Sequence, residues 1–526
     1  MKRILGILTI VALAILVSYT MFAPEHAPPS HMAELRERMR KTTPSAVDHS
    51  MFPQLQRSFA RPQDVTGTCI SCHNHRHTEV MKSNHWNWER EEYIEGRGVV
   101  YIGKKNAVNN FCIGAMGNEK SCAKCHIGLG MDEKGFNFTD AENIDCLICH
   151  DKSDTYAKAQ EQGGAPDPAL DLGAIARTVG KPDRDNCGVC HFYGGGGNNV
   201  KHGDLDAAMF STTRHVDVHM GVDGADMTCV DCHITEQHNI AGKLYSLSSM
   251  NRNRAYCETC HTGLPHDSEI LNEHTLKVAC QTCHIPTYAK VNATKTFWDW
   301  STAGKLRDGQ PYEVDDEDGN HTYLSIKGTF EWGTNLEPEY QWFNGTASHY
   351  LLGDTVADGT DSIVLNELHG AYADADSKII PVKVHRALQP FDPVTRMLIM
   401  PKLYADQPGD SAFWKDFDWK LASTAGMEHA GLPFSGSVDF IKTEMNWPVN
   451  HMVAGTEQSV QCIECHTRDG GRLAGLTDFY LPGRDYSSIV ETGGVALLLL
   501  SFLGVMVHAG IRIGMSVRGK RAGGAK

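Results

Sequence analysis

The sequence predicts a mainly α-helical chain with little β-structure, built around eight covalent attachment points and anchored to a membrane. Three observations lead there. Sixteen of the 17 cysteines in 526 residues fall in CxxC pairs, and each pair is followed at once by a histidine. Hydrophobic residues make up only 41% of the chain, which suffices only if something other than aliphatic side chains fills much of the interior. Long apolar runs stand at both ends.

The pairs are Cys69/Cys72, Cys122/Cys125, Cys146/Cys149, Cys187/Cys190, Cys229/Cys232, Cys257/Cys260, Cys280/Cys283 and Cys462/Cys465. Their histidines are His73, His126, His150, His191, His233, His261, His284 and His466. A disulfide framework gives no reason for those histidines. Structural zinc takes two such pairs per metal and does not need the histidine either. CxxCH is the attachment motif of haem c, so the expected cofactors are eight haems c, with the cysteines as thioethers and the histidines as proximal iron ligands. This makes a multihaem cytochrome c scaffold, whose local helices are set by haem attachment. One cysteine, Cys112, is left over.

Along the chain, residues 1–23 hold Lys2, Arg3 and an apolar run from Ile4 to Phe22, which serves either as a cleaved signal or as a retained anchor. Residues 24–64 are Pro-rich and charged, a tether with a helical patch from Glu34 to Lys41. Residues 65–290 form a seven-haem core and 461–486 carry the eighth motif. Between them, 291–460 is a cysteine-free region expected to wrap the haem body. It has short β-like runs at Gly309–Tyr312 and His321–Ile326, and a helix by apolar spacing from Asp416 to Met427. The acidic cluster Asp315, Asp316, Glu317 and Asp318 lacks the alternating spacing of an EF-hand and reads as a solvated hairpin tip. Residues 487–526 supply an uncharged stretch from Thr492 to Ile511, then Arg512, Arg518, Lys520, Arg521 and Lys526. A spanning helix with a basic cytoplasmic tail places the body in the periplasm, tied to the inner membrane. The net charge of −15 argues against nucleic acid as a partner.

An iron held by two imidazoles is six-coordinate, suited to passing electrons rather than binding substrate. The distal imidazoles must come from the nineteen histidines outside the motifs. His85, His219, His238, His266, His274 and His451 stand close to motifs, and His202 and His385 compete for the seventh place. Lys201 is the candidate for the remaining haem. It follows the glycine run Gly194–Gly197, whose bare backbone can approach a flat cofactor, and it lies mid-array, where a buried amine loses its proton readily.

The segments NCGVCHFYGGGGNNVKHGDLD, VACQTCHIP, NWPVNHMV and GRLAGLTDFYLPGRD, together with the eight motifs, resemble the octahaem tetrathionate reductases over about residues 65–485. The resemblance implies a lysine-ligated catalytic haem with a free cysteine beside it. Carried over by position, these are Lys201, the haem on Cys122, Cys125 and His126, and Cys112. It implies two-electron reduction of tetrathionate, a small inorganic oxyanion, to thiosulfate. The motif count also fits nitrite or hydroxylamine reduction and hydroxylamine oxidation, and a conduit with no catalysis. No CxxCK motif is present, which weighs against nitrite reductases of that type. The electron donor is expected to be a quinol-oxidising membrane partner or a periplasmic cytochrome.

Overall fold

From Pro62 onward many of the helices of the N-terminal half begin or end at cysteine motifs. The computed structural model of the chain describes residues 47–111, 113–131, 135–159 and 162–523. Cys112, the run Ile4–Phe22 and the patch Glu34–Lys41 lie outside the described residues. Helix α1, Pro62–Cys72, starts on a proline at its first position, and the Asp64 carboxylate accepts the Arg61 N–H at 3.2 Å. Helix α2, Arg184–His191, opens with a reciprocal Asp183/Asn186 capping box and carries the fourth motif. The helices at Leu147–His150, Cys229–Cys232, Cys280–His284 and Cys462–Cys465 are single turns, too short to persist on their own propensity. Helix α3, Glu269–His274, carries one of the candidate distal histidines. Strands β1, Arg90–Ile94, and β2, Gly98–Ile102, make an antiparallel hairpin.

The expectation of a mainly helical fold is overturned by the region 291–460, which forms most of a nine-stranded sheet, so the fold is mixed α/β. Its strands are β3 (Thr294–Asp299), β4 (Glu313–Asp315), β5 (His321–Leu324), β6 (Gly328–Gly333), β7 (Glu339–Phe343), β8 (Ser362–Val364), β9 (Lys378–Asp392), β10 (Met397–Leu398) and β11 (Asp439–Pro448). The order is β8-β11-β9-β3-β6-β5-β4, with β7 and β10 also paired to β9. The fifteen-residue β9 is the spine. It runs antiparallel to β11, with Lys383 opposite Trp447 and His385 opposite Met445, and parallel to β3, with Ala387 opposite Trp298. Pro381 and Pro390 in β9 sit where partners change. Pairing with β7 ends at Pro381, and that with β11 begins at Val382. The carbonyls of Pro381 and Pro390 still accept, from Val449 and Ile399.

Strand β4 begins at Glu313, after the run Gly309–Tyr312, which stays outside it. The acidic cluster caps the β4–β5 hairpin, where Asp316 Oδ1 accepts the N–H groups of Asp318 and Asn320 at 3.0 and 2.8 Å. Helix α4 spans Trp419–Ala430, shifted by three residues because the Asp418 carboxylate caps it through the N–H of Leu421 at 2.9 Å.

One apolar core joins the sheet to the haem-motif half. Trp298, Trp300, Phe330, Phe391, Phe413, Met445 and Trp447 pack with Phe111, Ile113 and Val200, the neighbours in sequence of Cys112 and Lys201. At the C-terminus, helix α5, Ser488–Gly523, contains one apolar span, Ser488–Ser516, long enough to cross a membrane and wholly unburied by the rest of the chain.

Trp298 is fully buried, stacks on Trp300 at 4.7 Å and donates its indole N–H to the Lys327 carbonyl at 2.7 Å. Trp298→Ala is expected to destabilise the sheet by about 3–5 kcal/mol, read by urea unfolding followed by far-UV circular dichroism.

Candidate functional site

Seven of the eight motif histidines face another imidazole across a nearly constant gap. The ring centroids are 6.1 Å apart for His73 and His49, 6.1 Å for His191 and His85, and 6.4 Å for His150 and His238. They are 6.0 Å apart for His261 and His219, 6.3 Å for His233 and His451, 6.2 Å for His284 and His266, and 6.1 Å for His466 and His274. The angle between ring planes runs from 7° to 75° across the same pairs, so separation is constant while orientation is not. That is the signature of two ligands on one axis. A metal–nitrogen bond of about 2.0 Å on each side, plus the depth of each ring, spans roughly 6 Å, and turning about that axis changes nothing.

The outer nitrogens are held as metal-ligating histidines require. The Nδ1 atoms of His150, His233, His274 and His466 lie 2.7–2.8 Å from the carbonyls of Gly180, Ala241, Ile270 and Pro482. His238 Nδ1 meets the Glu79 carboxylate at 2.9 Å. His451 Nδ1 meets Asp204 at 3.1 Å, and there the ion pair wins over burial, raising the imidazole pKa and holding the carboxyl down at about 2. In each case the Nε2 side is left toward the facing ring. Six of the eight candidates named from the sequence therefore meet a motif histidine. His202 does not; it packs edge-on against Trp447 at 5.3 Å, half-buried and with its pKa pulled well down by desolvation. Nor does His385, fully buried 4.1 Å from the Phe111 ring with both ring nitrogens unpartnered. The seventh motif histidine to find an imidazole, His73, meets His49, on the short helix His49–Met51 in the stretch read as a tether. Only its position, ahead of the first motif, could have flagged it.

The motif sulfurs give the order of the array. Cys69 meets Cys146, Cys125 meets Cys190, Cys187 meets Cys229, and Cys257 meets Cys280. Cys149 acts on Cys187 and Cys190, Cys232 on Cys260, and Cys283 on Cys462 and Cys465. The motifs thus run first, third, fourth, fifth, sixth, seventh, eighth, with the second attached at the fourth as a branch. Most of them line one continuous cavity of about 3160 Å³, well beyond the 300–1,000 Å³ typical of a small-molecule pocket.

The branch is the exception in ligation too. Among the described residues His126 faces no imidazole; it is buried among Trp86, Trp88, Phe136 and Phe138. Its Nδ1 accepts the Gly128 N–H at 3.0 Å and its Nε2 lies 2.8 Å from the Trp86 carbonyl, while burial pulls its pKa down to about 3. To hold an iron, this ring must first release Trp86. Lys201 lies on the same cavity wall, its Nζ 4.9 Å from the Trp447 ring centroid, close enough for its charge to act on Cys125, His191 and His202. The glycine run meets the lysine stem itself. A Cβ on Gly194 would stand 3.2 Å from Lys201 Cδ, and Gly195 and Gly196 take φ of +84° and +93°.

The sheet fixes this loop. Lys383 Nζ donates to the carbonyls of Val200 and Lys201 at 2.9 and 3.1 Å and to Thr294 Oγ1 at 2.6 Å. The Thr294 hydroxyl passes the bond on to the Asn199 carbonyl at 2.5 Å. Three acceptors match the three N–H bonds of an ammonium, which offsets a burial that pulls the Lys383 pKa well down. The segment before Cys112 is held by the same strand. Asn110 donates to the His385 carbonyl at 2.8 Å, and Gln389 to the Asn109 carbonyl at 2.9 Å. Immediately after Cys112, Ile113 takes φ +70°, a costly backbone for a β-branched residue.

A solved structure described as octahaem cytochrome c from Shewanella oneidensis is 42% identical to this chain, with a TM-score of 0.75, over 82% of this chain and 96% of that one. The chain belongs to the octahaem c-type cytochromes. The profile described as "Cytochrome c bacterial" matches residues 295–469. An uncharacterised protein of Archaeoglobus fulgidus is 25% identical over 225 residues, 32% of this chain and 73% of that one. As an octahaem cytochrome the protein is a multihaem electron-transfer protein with covalently attached haems, of oxidoreductase type.

Lys383→Met removes the clamp on Val200 and Lys201 at similar side-chain volume. It is expected to cost about 1–3 kcal/mol in urea unfolding, because buried acceptors lose their donor, with eight haems retained by intact mass.

Proposed function

We propose that this octahaem cytochrome is a periplasmic reductase of a sulfur oxyanion, tetrathionate, acting at the haem of the second motif with Lys201 as its distal ligand. The seven histidine pairs given above would hold the other seven haems, which would supply electrons to it. The observation that supports this reading is that Lys201, its backbone held by the sheet, is near enough for its charge to act on Cys125 of the second motif, whose histidine meets no imidazole among the described residues. Its surroundings are cationic. Lys104 and Lys158 act on His126, and Lys104, Lys201 and Lys124 act on Cys125. Such a wall favours a dianion and disfavours neutral hydroxylamine.

The haems supply one-electron carriers, and tetrathionate takes two electrons as its central S–S bond parts into two thiosulfates. Lys201 as a neutral amine would hold the iron of that haem, and once protonated it neutralises part of the substrate charge. Cys112 as thiolate attacks one central sulfur, forming a Cys112–thiosulfate mixed disulfide and expelling the first thiosulfate. Two electrons then cleave that bond, releasing the second thiosulfate and restoring the thiolate. The donor is a quinol-oxidising membrane protein or a periplasmic cytochrome.

Nitrite is also an anion and is the rival substrate, so kcat/KM on tetrathionate, nitrite and hydroxylamine is the deciding comparison. Tetrathionate is expected to rank first, and a higher value for either nitrogen compound overturns the reading. Lys201→Ala is expected to lower tetrathionate turnover by about 100-fold or more, on the scale of losing a preorganised charge-stabilising group. Lys201→His is expected to give an eighth bis-histidine signal by EPR and to abolish turnover. Cys112→Ala is expected to reduce turnover with all eight haems in place, and unchanged turnover removes the thiolate from the mechanism.

A further inference from the structure

The eighth motif and the membrane-length helix are held together by the chain itself. His466 Nδ1 lies 2.7 Å from the Pro482 carbonyl, and Gly483 packs so close beneath it that an added Cβ would stand 2.7 Å from the His466 carbonyl oxygen. Two residues on from His466, Arg468 reaches Glu491, in the first turn of α5, at 2.8 Å, and lies over the Tyr486 ring at 5.4 Å. Consecutive Cα atoms are 3.8 Å apart, so Arg468 starts within about 8 Å of His466, and its side chain ends on the helix. Arg484 ties the intervening turn down by donating to the Leu473 and Phe479 carbonyls at 3.0 and 2.6 Å. The eighth motif is also open to the outside. Cys462 is exposed, Ile463 is 68% exposed, and Tyr480 and Tyr486 are exposed alongside. In the order set by the sulfurs this motif is terminal, touching the seventh alone.

We infer that the haem of the eighth motif is the port through which electrons come on board, and that its donor is a membrane-embedded quinol-oxidising protein docked beside α5. This rests on the haem ligation proposed above. The donor takes two electrons and two protons from each quinol, releases the protons, and passes the electrons singly to the haem between His466 and His274. A membrane donor fits better than a soluble one because the port lies where the chain enters the lipid. A mobile carrier would gain nothing from a haem tied to the membrane helix by an ion pair. The other terminus of the array, at His73 and His49, is the competing port.

The test uses the full chain in native membranes, with the haem α-band recording reduction by duroquinol or by reduced methyl viologen in the absence of any acceptor. His274→Met places a thioether on the eighth haem and raises its potential, making onward transfer uphill. His49→Met does the same at the first. His274→Met is expected to slow reduction by duroquinol at least tenfold, and at least fivefold more than it slows reduction by viologen, which reaches any exposed haem. His49→Met is expected to slow reduction by duroquinol at least fivefold less than His274→Met does. Slowing by His49→Met with none by His274→Met overturns the inference. An EPR spectrum of His274→Met with no methionine–histidine signal overturns the ligation on which it rests, and so is distinguishable from a misplaced port. On the unaltered chain, amides 480–486 are expected to exchange hydrogen more slowly in phosphatidylethanolamine–phosphatidylglycerol nanodiscs than in detergent. Protection at 49–55 with none at 480–486 likewise overturns it.

Discussion

The contact on which the site depends is the buried amine of Lys383 against the carbonyls of Val200 and Lys201. A loop with four glycines in a row has high conformational entropy and no side chains with which to pay it back. Val200 enters the apolar core of the sheet, and Lys383 and Thr294 take up the carbonyls of residues 199–201, so the loop is fixed on both sides of its only long side chain. The same strand accepts the Asn110 amide at the His385 carbonyl and donates the Gln389 amide to the Asn109 carbonyl, bringing the chain before Cys112 onto the spine. One strand thus positions two segments ninety residues apart in sequence.

This explains a division of labour. Around the motifs, single-turn helices and loops follow the attachment points, and the axial imidazoles are oriented one by one through their outer nitrogens. Where seven sites share one chemistry, local devices suffice: a carbonyl at Gly180 or Pro482, a carboxylate at Glu79 or Asp204. Lys201, the candidate ligand for the second motif, carries an amine on a flexible stem, which no single hydrogen bond to a ring nitrogen can orient. It is placed instead by a sheet whose rigidity comes from aromatic packing around Trp298 and Trp447.

The motifs, the apolar C-terminal helix and six of the histidines that face a motif histidine were legible because each has a local signal: a fixed spacing, a run length, or a position beside CxxCH. The sheet was not. Its spine, KIIPVKVHRALQPFD, carries two prolines and buries a lysine and a histidine. Nearly every residue of it is buried, so it lacks the alternation of a half-exposed strand, and its prolines argue against a central position. They are tolerated because the pairing partner changes at each. His49 was hidden for a different reason. Its role depends on the tether folding back onto the first motif, and Pro-rich composition says only that such a stretch is extended. His202 misled because nearness in sequence to Lys201 is not nearness to an iron, and Trp447 takes its ring instead.

The branched order of the motifs has a consequence of its own. A site at the end of a linear array meets its electrons from one neighbour and stands as far as possible from the other terminus. The second motif instead joins at the fourth, between the Cys149 and Cys229 sulfurs and beside the segment His85–Trp88. That segment spends His85 on the fourth motif and Trp86 and Trp88 on the second, so the junction is braced by one short stretch of chain. Charge reaching the fourth motif from either terminus is then adjacent to the branch, and haems on both sides can hold electrons in waiting. On the function proposed above, in which a substrate takes two electrons from carriers that move one, a junction in the middle of the array lets a second electron wait one motif away from the first.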